Sequence, residues 1–199
     1  MESASALNAH LANRLRDLRL GNGMTLDALS ERTGVSRSMI SLIERGESSP
    51  TAAVLDKLAG GLGVTLASLF AETDNTGASP VARRAEQRVW RDPASGYTRR
   101  NLSAPGFPFP IELVEVAFPP GAHVAYDTGH RAAVVHQQIW IIEGEIVLTW
   151  GEETYHLGTG DCLSMRLDRP TVFRNLTERR ARYLVALATD ARGGSVIPR

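Results

Sequence analysis

The stretch from Thr25 to Gly46, TLDALSERTGVSRSMISLIERG, decides how this chain is read. Its periodicity predicts two short helices joined by a tight turn. Leu26 and Leu29 give the first helix an inward face. Thr25 is placed to cap it, because a side-chain oxygen there can accept from an otherwise orphaned backbone N–H. Gly34 supplies the turn, where a positive φ is cheapest. Ser36 can cap the second helix, in which Met39, Ile40 and Ile43 recur at roughly helical spacing and make the inward face. Arg37, Ser38, Ser41 and Leu42 fall on the opposite face. One face for the domain and one for a DNA major groove is the division a helix-turn-helix requires.

The flanking sequence completes a small helical domain. Leu7, Leu11, Leu15 and Leu18 recur as the apolar stripe of a first helix that ends near Gly21-Asn22-Gly23. Glu47-Ser48-Ser49-Pro50 reads as a polar loop with hydroxyls suited to phosphate contact. Thr51 is placed to cap a further helix with Val54, Leu55, Leu58 and Leu62 inward. Gly63 ends that helix, and Val64 to Phe70 reads as a fifth, closing one. From about Leu11 to Phe70 the chain resembles the DNA-binding domain of the Cro/C1-type (XRE family) regulators, most specifically through SxxxISxIERGExSP at Ser36 to Pro50. The resemblance implies a partly buried ion pair between Arg19 and Glu44, tying the first helix to the third. It also places Arg37 and Ser38, then Ser41 and Leu42, at base edges, with Leu42 suited to a thymine methyl. Thr25, Ser36, Ser48 and Ser49 would then grip phosphates.

Composition sets limits on this reading. The chain of 199 residues has room for one large domain or two small ones. Lys plus Arg and Asp plus Glu both number 22, so no overall positive field advertises nucleic acid. The same balance holds within Met1 to Phe70, and attraction to DNA must come from local placement of arginines and helix N-termini. The single cysteine, Cys162, excludes an intramolecular disulfide framework and reads as a small buried hydrophobe in a reducing compartment. Neither a signal-peptide core nor a membrane-length apolar run is present, which predicts a soluble, cytoplasmic protein.

Beyond Phe70 the texture changes. AETDNTGASP, from Ala71 to Pro80, is small, polar and aperiodic, and the linker is assigned to 71–87 between a first domain at 7–70 and a second at 88–195. Arginines then accumulate at Arg83, Arg84, Arg88, Arg91, Arg99 and Arg100. They read as a solvated first hairpin, with a second contact to the DNA backbone as the alternative. From Arg88 on, short β-rich runs separated by Gly, Pro, Asp or Asn predict a sandwich or barrel. The runs QQIWIIEGEIVLTWGEETYHLGTGD and RPTVFRN resemble a cupin, a small double-sheet jelly roll, over most of Val89 to Thr189. The fold expectation is therefore α+β in two domains: a five-helix Cro/C1-type bundle followed by an all-β cupin.

Cupins often hold a divalent metal with three histidines and a glutamate. Aligned on Gly144, the glutamate position here is Gln137. The first two histidine positions fall on Arg131 and Ala133, or on His130 and Ala132, and the last on Thr171. A tight divalent site needs several imidazoles or carboxylates converging, so neither metal nor another cofactor is expected. His123, His130, His136 and His156 remain as scattered histidines. The resemblance instead suggests a barrel cavity for a small organic effector. Gln137, Arg166 and Thr171 would point inward against Ile139, Ile141 and Phe173, and Arg166 would favour a carboxylate or other anion; the alternative is that Arg166 pairs with a carboxylate such as Asp168 or points to solvent. The joined domains are similar to XRE-type regulators with a cupin sensor. They imply a homodimeric, non-enzymatic, sequence-specific regulator that reads a near-palindromic double-stranded DNA operator, with no membrane partner. Its rivals are a cupin isomerase or dioxygenase with a DNA-addressing domain, and an antitoxin-like autorepressor. Bound metal and activity in the isolated second domain would mark the first; a toxin partner would mark the second.

Overall fold

The computed structural model describes residues 4–70, 79–107, 109–127, 131 and 133–189. Residues 71–78 of the expected linker, His130, and positions 190–195 assigned to the second domain lie outside the described residues.

Four α-helices make the N-terminal body: α1 (Ala4–Gly21), α2 (Leu26–Thr33), α3 (Arg37–Glu44) and α4 (Ala52–Leu62). The hydroxyls of Thr25, Ser36 and Thr51 accept from the N–H groups of Ala28, Met39 and Val54, so each predicted cap satisfies an orphan donor of its helix. Gly34 and Gly63 end α2 and α4 in the left-handed region, at φ 68° and 76°. The expected fifth α-helix is absent as such: a four-residue 3-10 turn, Ala67–Phe70, stands in its place. The chain leaves α4 with the Val64 N–H donated back to Ala59, and a new turn starts only where Thr65 Oγ1 accepts from Ser68 N–H. Too few residues then remain for an α ladder.

Ile40 and Ile43, one turn apart on α3, enter the core with Leu11, Leu15, Leu29, Leu55 and Leu58. Met39 does not join them. It is 37% exposed, because one residue of rotation carries it off the buried seam. Helix α4 lies so close to α2 that a Cβ on Gly61 would sit 2.3 Å from Thr33 Cγ2. Arg19 and Glu44 form the expected pair, with Nε to Oε1 and Nη2 to Oε2 both 2.7 Å, while Nη1 donates to the Met24 carbonyl.

The C-terminal body is a double-sheet jelly roll with strands β1 (Val89–Arg91), β2 (Thr98–Asn101), β3 (Ile111–Phe118), β4 (His123–Tyr126), β5 (Val135–Glu143), β6 (Glu145–Trp150), β7 (Glu153–Gly158), β8 (Cys162–Arg166), β9 (Thr171–Arg174) and β10 (Ala181–Thr189). One sheet runs β1-β2-β3-β10-β5-β8 and the other β4-β9-β6-β7. Every pairing is antiparallel. Gly144 turns β5 into β6 at φ 81°, where a Cβ would lie 3.0 Å from the backbone of Arg180 and Ala181. Alternation sorts the side chains. On β5, Val135, Gln137, Ile139 and Ile141 point inward, and His136, Gln138 and Trp140 outward. On β8, Met165 is the buried residue, which sends Arg166 to the outer surface. Cys162 is exposed, contrary to its reading as a buried hydrophobe.

The two bodies are joined through α4 and the 3-10 turn. Arg131 Nη2 donates to both carboxylate oxygens of Asp56 on α4, at 2.6 and 2.7 Å. Asp92, just after β1, accepts from the Ala52 N–H at 2.9 Å and so places a negative charge at the N-terminus of α4. Glu112 on β3 accepts from the hydroxyls of Thr65 and Ser68. The Phe70 ring meets Trp90 with centroids 5.7 Å apart. Only one of these partners was singled out from sequence: Arg131, and then for a different role.

Two stability tests follow from these pairs. Arg19→Met strands the Glu44 carboxylate and should cost about 3 kcal/mol in urea unfolding, the lower end for a buried pair deprived of one partner. Asp56→Asn strands Arg131 between the bodies. Its cost, about 3–5 kcal/mol, should appear as a helical transition that precedes loss of the barrel. A single unchanged transition would show that the Asp56 pair does not couple the two bodies.

Candidate nucleic-acid interface and barrel cavity

The surface expected to meet DNA is assembled by the caps. Because Ser36 holds the first turn of α3, Arg37 and Ser38 emerge at its start, both exposed, and Ser36 Oγ lies 3.2 Å from Ser38 Oγ. Arg37 pairs loosely with Asp27 of α2 at 3.1 Å, with both side chains largely in solvent. An ion pair this exposed contributes little and is readily exchanged for another anion. Ser41 and Leu42 are half-buried further along α3, and Ser41 Oγ accepts from Arg45. Thr25 and Ser49 are exposed at the loop ends. Ser49 accepts from Asn8 Nδ2, and half-buried Ser48 directs its hydroxyl at Met39 Sδ. The contacts that Asn8, Asp27 and Arg45 make with these residues had no local signal in the sequence.

A second candidate site lies inside the barrel. A cavity of about 50 Å³ is lined by Gln137, Thr171, Phe173, Tyr97, Tyr126, Tyr183, Val116, Val185 and Leu187, with Arg99 and Arg131, and by Asp56, Thr65 and Leu66 of the helical body. Of the residues proposed from sequence, Gln137, Thr171 and Phe173 come together on its wall. Gln137 Nε2 contacts Met165 Sδ at 3.8 Å, and Thr171 Oγ1 donates to the Arg169 carbonyl. Ile139 and Ile141 are fully buried in the barrel core without lining the cavity. Arg166 does not point into the barrel but takes the alternative position beside Asp168. Its side chain is 60% exposed on the outer face and lies 3.6 Å from Asp168.

Arg131 reaches the cavity already paired with Asp56, and the other cation there is Arg99. It is 7% exposed, and its Nε and Nη2 have no hydrogen-bond partner among the described residues. Tyr97 and Tyr126 join hydroxyls at 2.9 Å beside it. Burial pushes the Tyr97, Tyr126 and Tyr183 hydroxyls up, so all three remain protonated and able to donate. Burial also raises the Asp56 carboxyl, against the opposing pull of Arg131 and Arg99. The arginine-rich run was read as solvated, yet Arg99 on β2 lies two residues after Tyr97, which directly precedes that strand, and both are buried. That alternation was the available signal.

Gln137 and Thr171, and Arg131 in one of the two alignments, stand at cupin metal positions; all three reach this cavity but offer an amide, a hydroxyl and a cation. That donor set does not suit a divalent metal. Among the described residues no group of three His, Cys, Asp or Glu converges as a metal site. The histidines His123, His136 and His156 are all exposed on strands. Nor is any described helix long and apolar enough to cross a membrane.

Comparison with known proteins agrees with this two-part architecture. Residues 15–69 match the helix-turn-helix family HTH_3, and residues 114–187 match the Cupin_2 cupin domain. The chain is 28% identical over 169 residues to the HTH-type transcriptional regulator SutR of Escherichia coli K12, covering 83% of this chain and 86% of that one. It is 27% identical over 164 residues to PuuR of the same organism, covering 81% and 85%. The HTH-type regulator y4dJ of Sinorhizobium fredii matches at 39% over 59 residues, which is 30% of this chain and 77% of that protein. The crystal structure of an HTH_3 family transcriptional regulator from Vibrio cholerae superposes with a TM-score of 0.74 at 27% identity, covering 95% of this chain and all of that one. With its helix-turn-helix matched both by the family model and by a relative of which it covers 77%, and with a cupin domain behind it, the chain belongs to the HTH-type transcriptional regulators and carries a C-terminal cupin domain.

Proposed function

We propose that this regulator is a homodimer that reads a near-palindromic operator through α3 and senses a small molecule in its cupin cavity, without catalytic chemistry of its own. The observation that carries the reading is the continuity of the two sites. The helix-turn-helix body presents Arg37 and Ser38 to solvent, while α4 of the same body closes the cavity with Asp56. Arg37 and Ser38 read base edges, with Ser41 and Leu42 behind them. Thr25, Ser36, Ser48 and Ser49, with adjacent N–H groups, hold phosphates. A single helix-turn-helix covers one half-site, so specific reading calls for a second copy one helical turn of DNA away. The mostly apolar cavity with a few polar groups is the usual form of a small-molecule site.

Selection of fragments from the source genome by the purified full-length protein tests the reading. A small set of sites sharing an inverted repeat is expected, bound by a species of twice the chain mass in light scattering. No enrichment over random fragments would count against operator reading, and a monomer on DNA against dimerisation. On the selected site, Arg37→Ala should weaken binding by about 1–3 kcal/mol and relax one base position. A loss of equal size on every sequence would reassign Arg37 to the phosphate backbone.

A further inference from the structure

The cavity wall carries three charged residues: Asp56, Arg99 and Arg131. Asp56 and Arg131 neutralise each other through two short hydrogen bonds. Arg99 makes no such ion pair among the described residues. It is flanked by tyrosine hydroxyls and apolar side chains, Asp56 acts on it only from beyond ion-pair distance, and its Nε and Nη2 lack a hydrogen-bond partner there. An arginine does not escape this position by losing its proton, since its guanidinium stays charged throughout the accessible pH range. A buried, unpaired guanidinium is among the most costly arrangements a protein interior can hold. A fold that holds one open toward a cavity is poised for an anion.

We propose that the cavity is a binding site for a compact oxyanion group, a carboxylate or an inorganic oxyanion, gripped by Arg99 and roofed by the DNA-binding body. This rests on the small-molecule-sensor reading above and names the chemistry of its ligand. The fork of Arg99 pairs with two oxygens of the anion. Gln137 and the tyrosine hydroxyls at the wall supply further donors, and Phe173, Val185 and Leu187 meet a short apolar stem. Some 50 Å³ holds a group of a few heavy atoms. A longer molecule needs Asp56, Thr65 and Leu66 to lift, which is motion of the helix-turn-helix body itself. The anion also shares the positive field of Arg99 and Arg131 with Asp56, so occupancy and the Asp56 clamp oppose each other. By linkage, whatever loosens the clamp tightens the anion.

Thermal unfolding and calorimetric titration of the full chain test this with sodium propionate, sodium sulfate, the neutral isostere propionamide, and sodium chloride at matched ionic strength. Propionate or sulfate should raise the melting temperature of the wild type in a dose-dependent way; which of the two acts more strongly distinguishes the carboxylate from the inorganic source. Sulfate also stabilises proteins non-specifically, so it is the response beyond that general effect that must vanish in Arg99→Gln and persist in Arg166→Gln, whose arginine is on the outer surface. Without ligand, Arg99→Gln should melt higher than the wild type, because the variant no longer buries a lone charge. Asp56→Asn, which removes the like charge, should bind propionate roughly tenfold more tightly. An equal anion response in Arg99→Gln, or no response to either anion in the wild type, overturns the proposal. Propionamide acting as well as propionate also overturns it, while leaving the barrel a small-molecule site. Operator selection is scored separately, so failure here does not stand in for failure of the regulator reading.

Discussion

The bidentate pair between Asp56 and Arg131 is the constraint around which the two halves are arranged. Both side chains are 7% exposed, one from the fourth helix of the DNA-binding body and one from the rim of the barrel. Neither charge would be tolerated there alone, so the bodies must meet in the register that satisfies both. Helix α4 is then held at two points, by Arg131 along its length and by Asp92 at its first N–H group. Glu112 fixes the turn that follows. The stem of Arg131 lies against Gly60, where a Cβ would come within 3.5 Å. Small residues on α4 thus let one helix serve as core of its own domain and as roof of the next.

Aromatic packing extends the same coupling inward. Phe70 touches Trp90, Trp90 meets Tyr97 edge-on at 6.0 Å, and Tyr97 reaches Phe118 at 5.9 Å. Phe118 leads to Tyr183, which stacks on Phe173 with centroids 6.1 Å apart. The last residue of the helical body is therefore linked ring by ring to the cavity wall. Such rings interdigitate at crystal-like density, so displacement at one end is resisted by all of them. Within this apolar stack Arg99 breaks the local rule that charges stay paired or wet. Breaches of that kind concentrate at functional sites, where the rest of the fold supplies the stability that the site forgoes.

The sequence made the helical body legible in detail because its determinants are local. Caps at Thr25, Ser36 and Thr51, and the left-handed glycines at 34 and 63, act within four residues of their partners. The barrel was legible as an architecture, through its turns and the cupin-like runs, and through the inward placement of Gln137, Thr171 and Phe173. What escaped was non-local or a matter of phase. Arg131 and Asp56 are 75 residues apart, and Thr65 and Glu112 are 47. Arg99 was passed over among arginines read as solvated, and the choice between an inward and an outward Arg166 stayed open, because a strand's side chains switch face at every residue and one position moves a guanidinium across the sheet. Met165 and Tyr97 fixed the phase in each case, but only once their own burial was known.

Docking of the two bodies does not cover the residues proposed to meet DNA. The barrel engages α4 and the 3-10 turn, whereas Arg37 and Ser38 at the start of α3 remain exposed. A ligand in the cavity therefore has no means of covering the recognition helix. Under the proposed sensor reading it can act only by changing where that helix is held relative to its counterpart in a dimer. An operator with two half-sites is sensitive to this, because their separation is fixed by the helical repeat of DNA. Linkage also bounds the effect: the ligand shifts DNA affinity only by the difference in its own binding to the docked and undocked arrangements. The roof supplies that difference, since Asp56, Thr65 and Leu66 are at once part of the cavity wall and part of the body that carries α3.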